Sequence, residues 1–533
     1  MALTTVKGAV LNRGVTVKDF GAVGDGTTDD TAAIQAAIDY TATNGGFIQF
    51  GADVYIVTTL TIKSGVILKG AGINATTIKL KDAANVTVVK TLNFDTLTGQ
   101  NKWLVSDGLQ HGFGLMDLQI DGNKANQTTA GIGVEFYGKR IFIKNVLIRD
   151  CYGVGWYSEA GDIPGQTDWK DLPESHIDGL WLRNNGSHGM QFRGPHDTYM
   201  GSVMSNENGG NGLLIQRSSG VYSGSCDINF AHVYSNTLQG IYADTSAVQF
   251  RAQQLISESN YQEGIQITGT KCQISMLQLY NNCRTTGTYD AVFDGTQNTV
   301  NDCQIKVGEA DGSGMLVTGS SNDITGINCD GQGSTGDGVV VGTGNYINLE
   351  GRILDFDGAG ATGLKTNDTG ASSNCTFTFR ISGSSANAFT LWDNLNVGTR
   401  NAYNITGVAT GASAVAFGGT AGPNATDQNE YWNVALDENG TGKLSKSRKL
   451  STSFTADGAV GSTYTKSIAH NLLTTPEIED IQLSVQISGG SIGSASSNVV
   501  LESVDATNVN VKVRIDAQAA AGKLGYVIMK AEL

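Results

Sequence analysis

The chain has 533 residues, of which 40% are apolar and 16% are charged. Its 70 glycines and 5 prolines favour a turn-rich all-β protein over a helical enzyme. A formal net charge of −15 argues against a nucleic-acid partner and gives no long-range attraction for an anionic polymer. Capture of an acidic sugar would therefore need a local basic patch.

The N-terminal segment MALTTVKGAVLN lacks a cationic stretch followed by an apolar run, so we expect neither a Sec signal nor membrane insertion. The seven cysteines are odd in number and form no CxxC pair. This pattern predicts buried free thiols in a protein that folds in a reducing compartment. Neither these cysteines nor the six histidines fall at ligand spacing. We expect no metal and no cofactor.

The segment VKDFGAVGDGTTDDTAAIQAAI, residues 17–38, combines a Gly/Asp-rich turn with a helix start. Its acids Asp25, Asp29 and Asp30 are of the type that binds a hard cation. Capping explains more, because Thr28 or Asp29 can cap a helix whose apolar residues follow at helical spacing. No strand or Gly-Lys-Ser/Thr sequence supports a phosphate loop. We interpret the segment as architecture.

A glycine followed by an apolar residue recurs through the middle of the chain and opens short alternating strands. It occurs at Gly131, Gly153, Gly189, Gly212, Gly240, Gly264, Gly314, Gly338 and Gly363, with Ala291 in the same place once. The successive steps are 22, 36, 23, 28, 24, 27, 23, 24 and 25 residues. A period of this size with almost no helix between the strands predicts a right-handed parallel β-helix, one coil per step.

A second strand in each coil ends in asparagine or another turn-forming residue. Asn184, Asn206 and Asn236 fall at one place in successive coils, where stacked amides bond to one another and to the turn backbone. We assign these three residues to structure and not to catalysis.

Residues 16–80, including GGFIQFGADVYIV and LTIKSGVILKGAG, resemble the N-terminal signature of the pectate-lyase superfamily, which includes phage tailspikes and some secreted lyases and epimerases. The resemblance is specific for the fold and weak for activity. It implies an all-β parallel β-helix whose open end is capped by a helix at residues 29–43.

Outward side chains of successive coils line up along a β-helix and offer a surface to a long polymer. Four residues after the repeat glycine the sequence places Glu135, Tyr157, Arg193, Gln216, Asp244 and Thr268. Two residues after it the sequence places Gly133, Gly155, Gln191, Leu214, Tyr242 and Gln266. The first column mixes acid, aromatic, base and amide, as sugar clefts do, although a solvated sheet face has the same composition.

The 36-residue step predicts that residues 156–176 leave the helix as a loop, and loops on a rigid scaffold commonly carry function. Its aromatic residues suit stacking on sugar rings. An acidic surface loop used in subunit packing is the alternative. Directly after it, His196 can act as a base or acid and Arg193 can neutralise a uronate, although His196 also fits a plain exposed turn.

Hydrolysis of a glycosidic bond needs two carboxylates that flank it. The predicted catalytic acids are Glu159, Asp168, Asp171, Glu174 and Asp178, with Glu135 and Asp244 in reserve, and an eliminative route would use Arg193 and His196. The predicted substrate-binding residues are Glu135, Trp156, Tyr157, Trp169, Gln191, Tyr242 and Asp244.

The repeat fades after about residue 380, and short alternating segments after residue 448 predict antiparallel strands. The predicted domains are an N-terminal arm (1–15), a cap with the first coils (16–110), the main β-helix (111–380), a tapering coil and linker (381–447), and a C-terminal β-sandwich (448–533). IAHNLLTTPEIEDIQL is similar to a stretch of C-terminal β-sandwich domains in phage tail proteins. A domain of this type implies trimerisation or carbohydrate binding.

The resemblance implies a phage tailspike that binds and cleaves a bacterial surface polysaccharide, with hydrolysis favoured over β-elimination. Such a protein assembles in the host cytoplasm, acts at the bacterial surface as a homotrimer in the virion, and contacts other phage tail or baseplate proteins. A secreted polysaccharide lyase or uronan epimerase is the first alternative, and a non-catalytic glycan-binding adhesin is the second.

Overall fold

The structure is a computed structural model that describes residues 15–92, 94, 110–159, 175–195, 197–216, 226–284, 289–366, 373–394, 401–411, 414–417, 431–438, 444–445, 447–455, 463–469, 481–487, 497–504, 508–515 and 524–532. The chain forms two compact units, residues 1–334 and residues 335–533. A search of the described helices finds none that is long and apolar enough to cross a membrane.

The first unit is a parallel β-solenoid, as the repeat predicts, and its strands form two sheets. Sheet 1 contains Val15–Thr16, Asp25–Asp29, Gly46–Gln49, Val54–Val57, Val66–Lys69, Thr77–Leu80, Gly114–Asp121, Phe142–Arg149, Ser175–Arg183, Thr198–Asn206, Cys226–Tyr234, Arg251–Glu258, Gln273–Tyr280, Thr299–Asn301, Cys303–Lys306 and Asp323–Asp330. Sheet 2 contains Leu60–Ile62, Val89–Thr91, Val134–Lys139, Trp156–Glu159, Met190–Arg193, Leu213–Ile215, Ile241–Ala243, Ile265–Ile267, Tyr289–Phe293 and Ser313–Val317, and the short strand Gln110–His111 pairs with its third member.

Alternation places the apolar side chains of each coil inside the solenoid. In the strand Ile265–Ile267, for example, both isoleucines are buried and Gln266 lies between them on the outer face. The glycine that opens each short strand lies over this core. A Cβ atom on Gly189 would meet Ser205 Oγ at 2.1 Å, and one on Gly240 would meet Ser257 Oγ at 2.1 Å. At these two positions no side chain fits, whereas Asp290 occupies the equivalent position in the coil of Tyr289–Phe293.

The predicted capping helix is present, but it runs over Thr31–Asn44 and so begins two residues after the predicted start. Asp30 is the N-cap residue, in place of Thr28 or Asp29, and its carboxylate accepts hydrogen bonds from the backbone N–H groups of Val23 and Gly24. Asp25 likewise accepts from the N–H group of Thr28. The acids of this turn therefore hold backbone, as the architectural interpretation expects. Short 3₁₀ helices occupy Val17–Phe20 and Lys124–Asn126.

A buried ladder of asparagine side chains runs along one turn of the first unit. Each amide nitrogen donates to the next amide oxygen at 2.9 Å, through Asn185, Asn208, Asn236, Asn260 and Asn282. The predicted stacking is confirmed in kind, but Asn236 is its one correctly chosen member. Asn184 accepts from Lys124 Nζ at 2.9 Å and Asn206 accepts from Trp181 Nε1 at 2.7 Å, so both lie outside the ladder.

The second unit contains parallel strands followed by antiparallel ones. The parallel strands are Val339–Val341, Asn348–Leu354, Thr362–Thr366, Thr376–Ser384, Thr390–Asn394, Ala402–Thr410, Val415–Phe417 and Tyr431–Glu438. Leu444–Ser445 is antiparallel to the last of them. Two antiparallel sheets follow, one of Ser447–Thr455, Leu524–Glu532 and Ile481–Ile487, the other of Thr463–Ala469, Asn508–Ile515 and Ser497–Val504. The antiparallel strands are as predicted, while their role and the predicted domain boundaries stay predictions.

All seven cysteines are buried and free, as the sequence predicts. Burial raises the pKa of Cys151 and of the other thiols that have shifted values, which suppresses the reactive thiolate.

Candidate active site

The outer face of sheet 2 carries part of the predicted site, in a different register from the one predicted. Tyr157 pairs with Gln191, and Glu159 pairs with Arg193. The coil positions that match Gly189 are therefore Gly155 and, one coil earlier, Gly133. Glu135 and Tyr157 share a row with Gln191 and Tyr242, while Arg193 shares a row with Glu159. The predicted column is thus wrong by two residues at its first two coils.

Tyr157, Glu159 and Arg193 form a hydrogen-bonded cluster at the join of two neighbouring strands. The Tyr157 hydroxyl donates to Glu159 Oε2 at 2.5 Å and accepts from Arg193 Nη1 at 3.1 Å. Arg193 Nη1 lies 3.5 Å from Glu159 Oε2. The Glu159 side chain is 2% exposed and the Arg193 side chain is 29% exposed. The Glu159 carboxylate is therefore closed to a ligand on the outer face of sheet 2, whereas part of the Arg193 side chain is open to it.

The surroundings of the cluster keep Tyr157 protonated and Arg193 charged. Burial, together with the bond to Glu159, raises the pKa of Tyr157 to about 12. Burial lowers the pKa of Arg193, but the neighbouring Tyr157 and Glu159 raise it more, so that it ends above its usual value. The cluster thus presents a proton donor beside a fixed cation.

A chain of amides leads away from the cluster toward later coils. Gln191 Nε2 donates to Gln216 Oε1 at 2.8 Å, and Gln216 Nε2 donates to Asp244 Oδ2 at 2.6 Å. The other oxygen of Asp244 accepts from the backbone N–H of Ser246 at 2.8 Å. All of these bonds point toward Asp244, so they fix its carboxylate and the orientation of both amides.

Three predicted site residues lie away from the cluster or are closed to a ligand. Trp156 is completely buried and packs edge-to-face on Phe136, because it occupies an inward position of its strand. It cannot stack on a sugar. Asp178 lies on sheet 1, where it accepts from Ser202 Oγ at 3.0 Å, so it does not share the site of Glu159. Glu135 lies on sheet 2 but accepts a hydrogen bond from Thr87 Oγ1, on the side away from Glu159.

Other predicted residues fall outside the description or have a different role. Asp168, Trp169, Asp171, Glu174 and His196 lie outside the described residues. His188, which lies five residues before Arg193 in the sequence, uses its Nδ1 atom to accept from the backbone N–H of Asn211 at 2.9 Å and supports a turn. Tyr242 is partly exposed on sheet 2, at the position that pairs with Leu214 and Gln266.

Sequence reasoning missed two aromatic neighbours of Tyr157. Phe94 packs edge-to-face against Tyr157 with a centroid distance of 5.8 Å, and it also packs against Tyr137. Tyr137 pairs with Glu159 on the neighbouring strand. The correct register would therefore have identified Tyr137 as a neighbour of the cluster. Across the parts of the chain that the structure describes, no group of three or more His, Cys, Asp or Glu side chains is arranged to hold a metal ion.

Residues 14–242 match the family model described as "Rhamnogalacturonase A/epimerase, pectate lyase-like". This match confirms the predicted pectate-lyase-like resemblance, and it contains Tyr157, Glu159, Arg193 and Gln216. Asp244 lies just beyond it.

The chain is also similar to curated enzymes of Azotobacter vinelandii. It is 31% identical to mannuronan C5-epimerase AlgE2 over 259 residues, which covers 42% of this chain and 25% of that protein. It is 41% identical to alginate lyase 7 over 119 residues, which covers 21% of this chain and 13% of that protein. The chain therefore spans about a quarter or less of the length of these relatives.

Solved structures with a similar course include the A-module of mannuronan C-5 epimerase AlgE6 from Azotobacter vinelandii. It is 20% identical with a TM-score of 0.42, covering 78% of this chain and 98% of that one. The tailspike gp61 of Pseudomonas phage phi297 is 11% identical with a TM-score of 0.43, covering 97% of this chain and 98% of that one.

Proposed function

We propose that this pectate-lyase-like protein is an enzyme that cleaves a uronate-containing polysaccharide by β-elimination at the Tyr157–Glu159–Arg193 cluster. The observation that carries the proposal is the difference in exposure within the ion pair. Glu159 is buried and pairs with Arg193, while the Arg193 side chain is partly exposed and its Nη1 atom donates to the hydroxyl of Tyr157. A cation and a proton donor side by side are what elimination next to a carboxylate needs.

Arg193 would bind the carboxylate of the uronate. Its planar guanidinium suits a carboxylate in a two-point contact, and its positive charge stabilises the negative charge that develops on the carboxylate when the C5 proton is removed. Glu159 positions this guanidinium from the buried side. Electrostatic stabilisation of this kind is commonly the largest contribution to catalysis.

Tyr157 would supply the proton that the leaving group needs. A base removes H5, the electron pair forms the C4–C5 double bond, the C4–O4 bond breaks, and the tyrosine O–H proton passes to O4. A pKa of about 12 makes Tyr157 a donor near neutral pH and not a base. His196 remains the predicted base, in a part of the chain that the structure does not describe.

Similarity to epimerases and to a lyase supports the proposal, because both reactions begin with removal of H5 beside the uronate carboxylate. The reactions differ in the second step. An epimerase returns a proton to C5 from the other side, and a lyase expels O4. The alternative of a uronan epimerase therefore uses the same cluster.

Hydrolysis, which the sequence favoured, needs a second carboxylate near the first. Among the described residues, Glu135 and Glu159 are carboxylates on neighbouring strands of sheet 2, but they form their hydrogen bonds on opposite sides. Thr87 binds the Glu135 carboxylate, and Arg193 and Tyr157 bind the Glu159 carboxylate on the other side. Elimination uses the described residues better. The hydrolytic alternative would take its second acid from Asp168, Asp171 or Glu174.

We also propose the biological setting that the sequence suggested, a phage tail that acts on bacterial surface glycans. Seven buried free cysteines are consistent with folding in a reducing compartment and action outside it. Labelling of the tails of phage particles by an antibody against this protein would support this setting. Presence of the protein only in a free secreted fraction would contradict it.

The reaction class is tested by incubating the protein with uronate-containing capsules and measuring two signals. Reducing ends together with the ultraviolet absorbance of an unsaturated uronate support the proposal. Reducing ends without this absorbance indicate hydrolysis. Deuterium uptake at C5 without cleavage indicates an epimerase, and binding without any reaction indicates an adhesin.

A further inference from the structure

The outer face of sheet 2 changes charge from coil to coil. One outward row, the groove row, contains Tyr137, Glu159, Arg193, Gln216, Asp244, Thr268, Asp294 and Thr318 in successive coils. Arg193 is the one cation in this row. Every charged member after it is a carboxylate, Asp244 at two coils and Asp294 at four coils from Arg193.

Hydrogen bonds hold the Asp244 carboxylate in place on this face, two coils from Arg193. Donors from Gln216 and Ser246 fix both of its oxygens, and its charge is close enough to contribute to the raised pKa of Arg193. Asp244 remains partly exposed. Its negative charge therefore acts on a ligand that lies on the outer face of sheet 2, two coils beyond Arg193.

The spacing of the coils relates this row to successive sugars. Neighbouring parallel strands lie about 4.8 Å apart, which is close to the length of one pyranose unit in an extended chain. A polymer that lies along this face, across the strands, would place about one sugar on each coil. With a uronate at Arg193, the next sugar faces the amide of Gln216 and the one after it faces the carboxylate of Asp244.

We propose that the substrate is a heteropolysaccharide in which the uronate bound at Arg193 is followed by neutral sugars, and that Asp244 is the specificity-determining residue that rejects a second uronate. The inference rests on the proposed function. Amide and carboxylate acceptors bind neutral sugar hydroxyls well, whereas a second carboxylate next to Asp244 would be repelled. Every bound molecule of a uronate homopolymer would place a carboxylate next to Asp244.

The test compares two probes, polymannuronate and deacylated gellan, whose repeat has one glucuronate among neutral sugars. Dissociation constants are measured for the wild type, for Asp244→Asn and for Glu350→Gln. The last variant removes an equal charge from an exposed position outside the groove row and is the matched control. Unsaturated products are measured in the same samples.

We expect the wild type to bind gellan at least about 10-fold more tightly than polymannuronate, the order expected for one like-charge contact. Asp244→Asn should narrow this ratio to about 2-fold, while Glu350→Gln leaves it unchanged. High salt should narrow the wild-type ratio as well, because it screens the repulsion. Equal wild-type affinities, or a ratio that Asp244→Asn does not change, would overturn the inference.

The unsaturated product tests the proposed function separately from the affinity ratio. If the wild type prefers gellan as expected but forms no unsaturated product from either probe, the role of Asp244 is supported and elimination is contradicted. Unsaturated product formed equally well from both polymers would support elimination and overturn the role of Asp244.

Discussion

Arg193 and Glu159 illustrate how burial divides the roles within one ion pair. Glu159 has the chemistry of a catalytic acid, which is why the sequence marks it, but a 2% exposed carboxylate beside a guanidinium is a positioning group. Arg193 keeps the exposed side of the pair. At the scale of single residues, the sequence predicts both side chains as catalytic, and the structure shows that they form one ion pair in which the Arg193 side chain is the more exposed partner.

Tyr157→Phe removes the proton donor and leaves the ring packed against Phe94. We expect kcat on a cleaved polymer to fall by about 100-fold or more with KM little changed, because the hydroxyl acts in the bond-breaking step. Steady-state kinetics and a melting curve test this. An unchanged kcat would remove Tyr157 from the mechanism.

Glu159→Gln leaves the shape of the cluster but removes the charge that orients Arg193 and raises the pKa of Tyr157. We expect a lower kcat and an alkaline fall in activity that begins at lower pH than in the wild type, since Tyr157 then loses its proton more easily. The pH profile of kcat is the measurement. A profile of unchanged shape at lower amplitude would indicate a structural role alone.

At the scale of strands and turns, the repeat predicts the solenoid and alternation predicts which side chains face inward, because both follow from a period of two and a coil of fixed length. The register fails where the sequence offers two candidates. Gly131 and Gly133 are both glycines, as are Gly153 and Gly155, and only the structure shows that a Cβ atom on Gly155 would strike Asn185 at 2.6 Å. Adjacent asparagines at 184 and 185 create the same ambiguity for the ladder.

Asn208 lies inside the asparagine ladder, where it donates to Asn236 and accepts from Asn185. Asn208→Ala should lower the free energy of unfolding by about 1–3 kcal/mol, because it leaves buried amide groups on both sides without a partner. Denaturant unfolding measures the loss. Asn229→Ala, at an exposed position of the strand Cys226–Tyr234, is the control and should change stability little.

Asp290 lies at the end of this ladder, where its Oδ1 accepts from the backbone N–H of Asn282 at 3.0 Å. Burial raises its pKa to about 7 from an ordinary value of 3.8. The stability associated with its proton is complete below about pH 4 and is lost as the pH rises through about 7. Asp290→Asn should flatten the dependence of the unfolding midpoint on pH between 4 and 7. A variant with the wild-type slope would show that another group is responsible.

At the scale of the whole molecule, the change from parallel to antiparallel strands predicts that the stability of the solenoid and the stability of the assembly depend on different parts of the chain. Deleting residues 448–533 should leave the melting of the solenoid intact and weaken assembly, because these residues form strands of their own after the parallel ones end. Light scattering should show a homotrimer for the full chain at micromolar concentration. A full-length monomer, or a truncated trimer of unchanged heat stability, would contradict this.

We expect cleavage to be eliminative and to depend on the guanidinium of Arg193 and the hydroxyl of Tyr157. Digestion of a cleaved polymer in water enriched in ¹⁸O, followed by mass spectrometry of the products, tests it most directly. Elimination adds no water, so the account predicts unsaturated ends without ¹⁸O, abolished by Tyr157→Phe and preserved in Glu350→Gln. Saturated products that carry ¹⁸O at the new reducing end would contradict it.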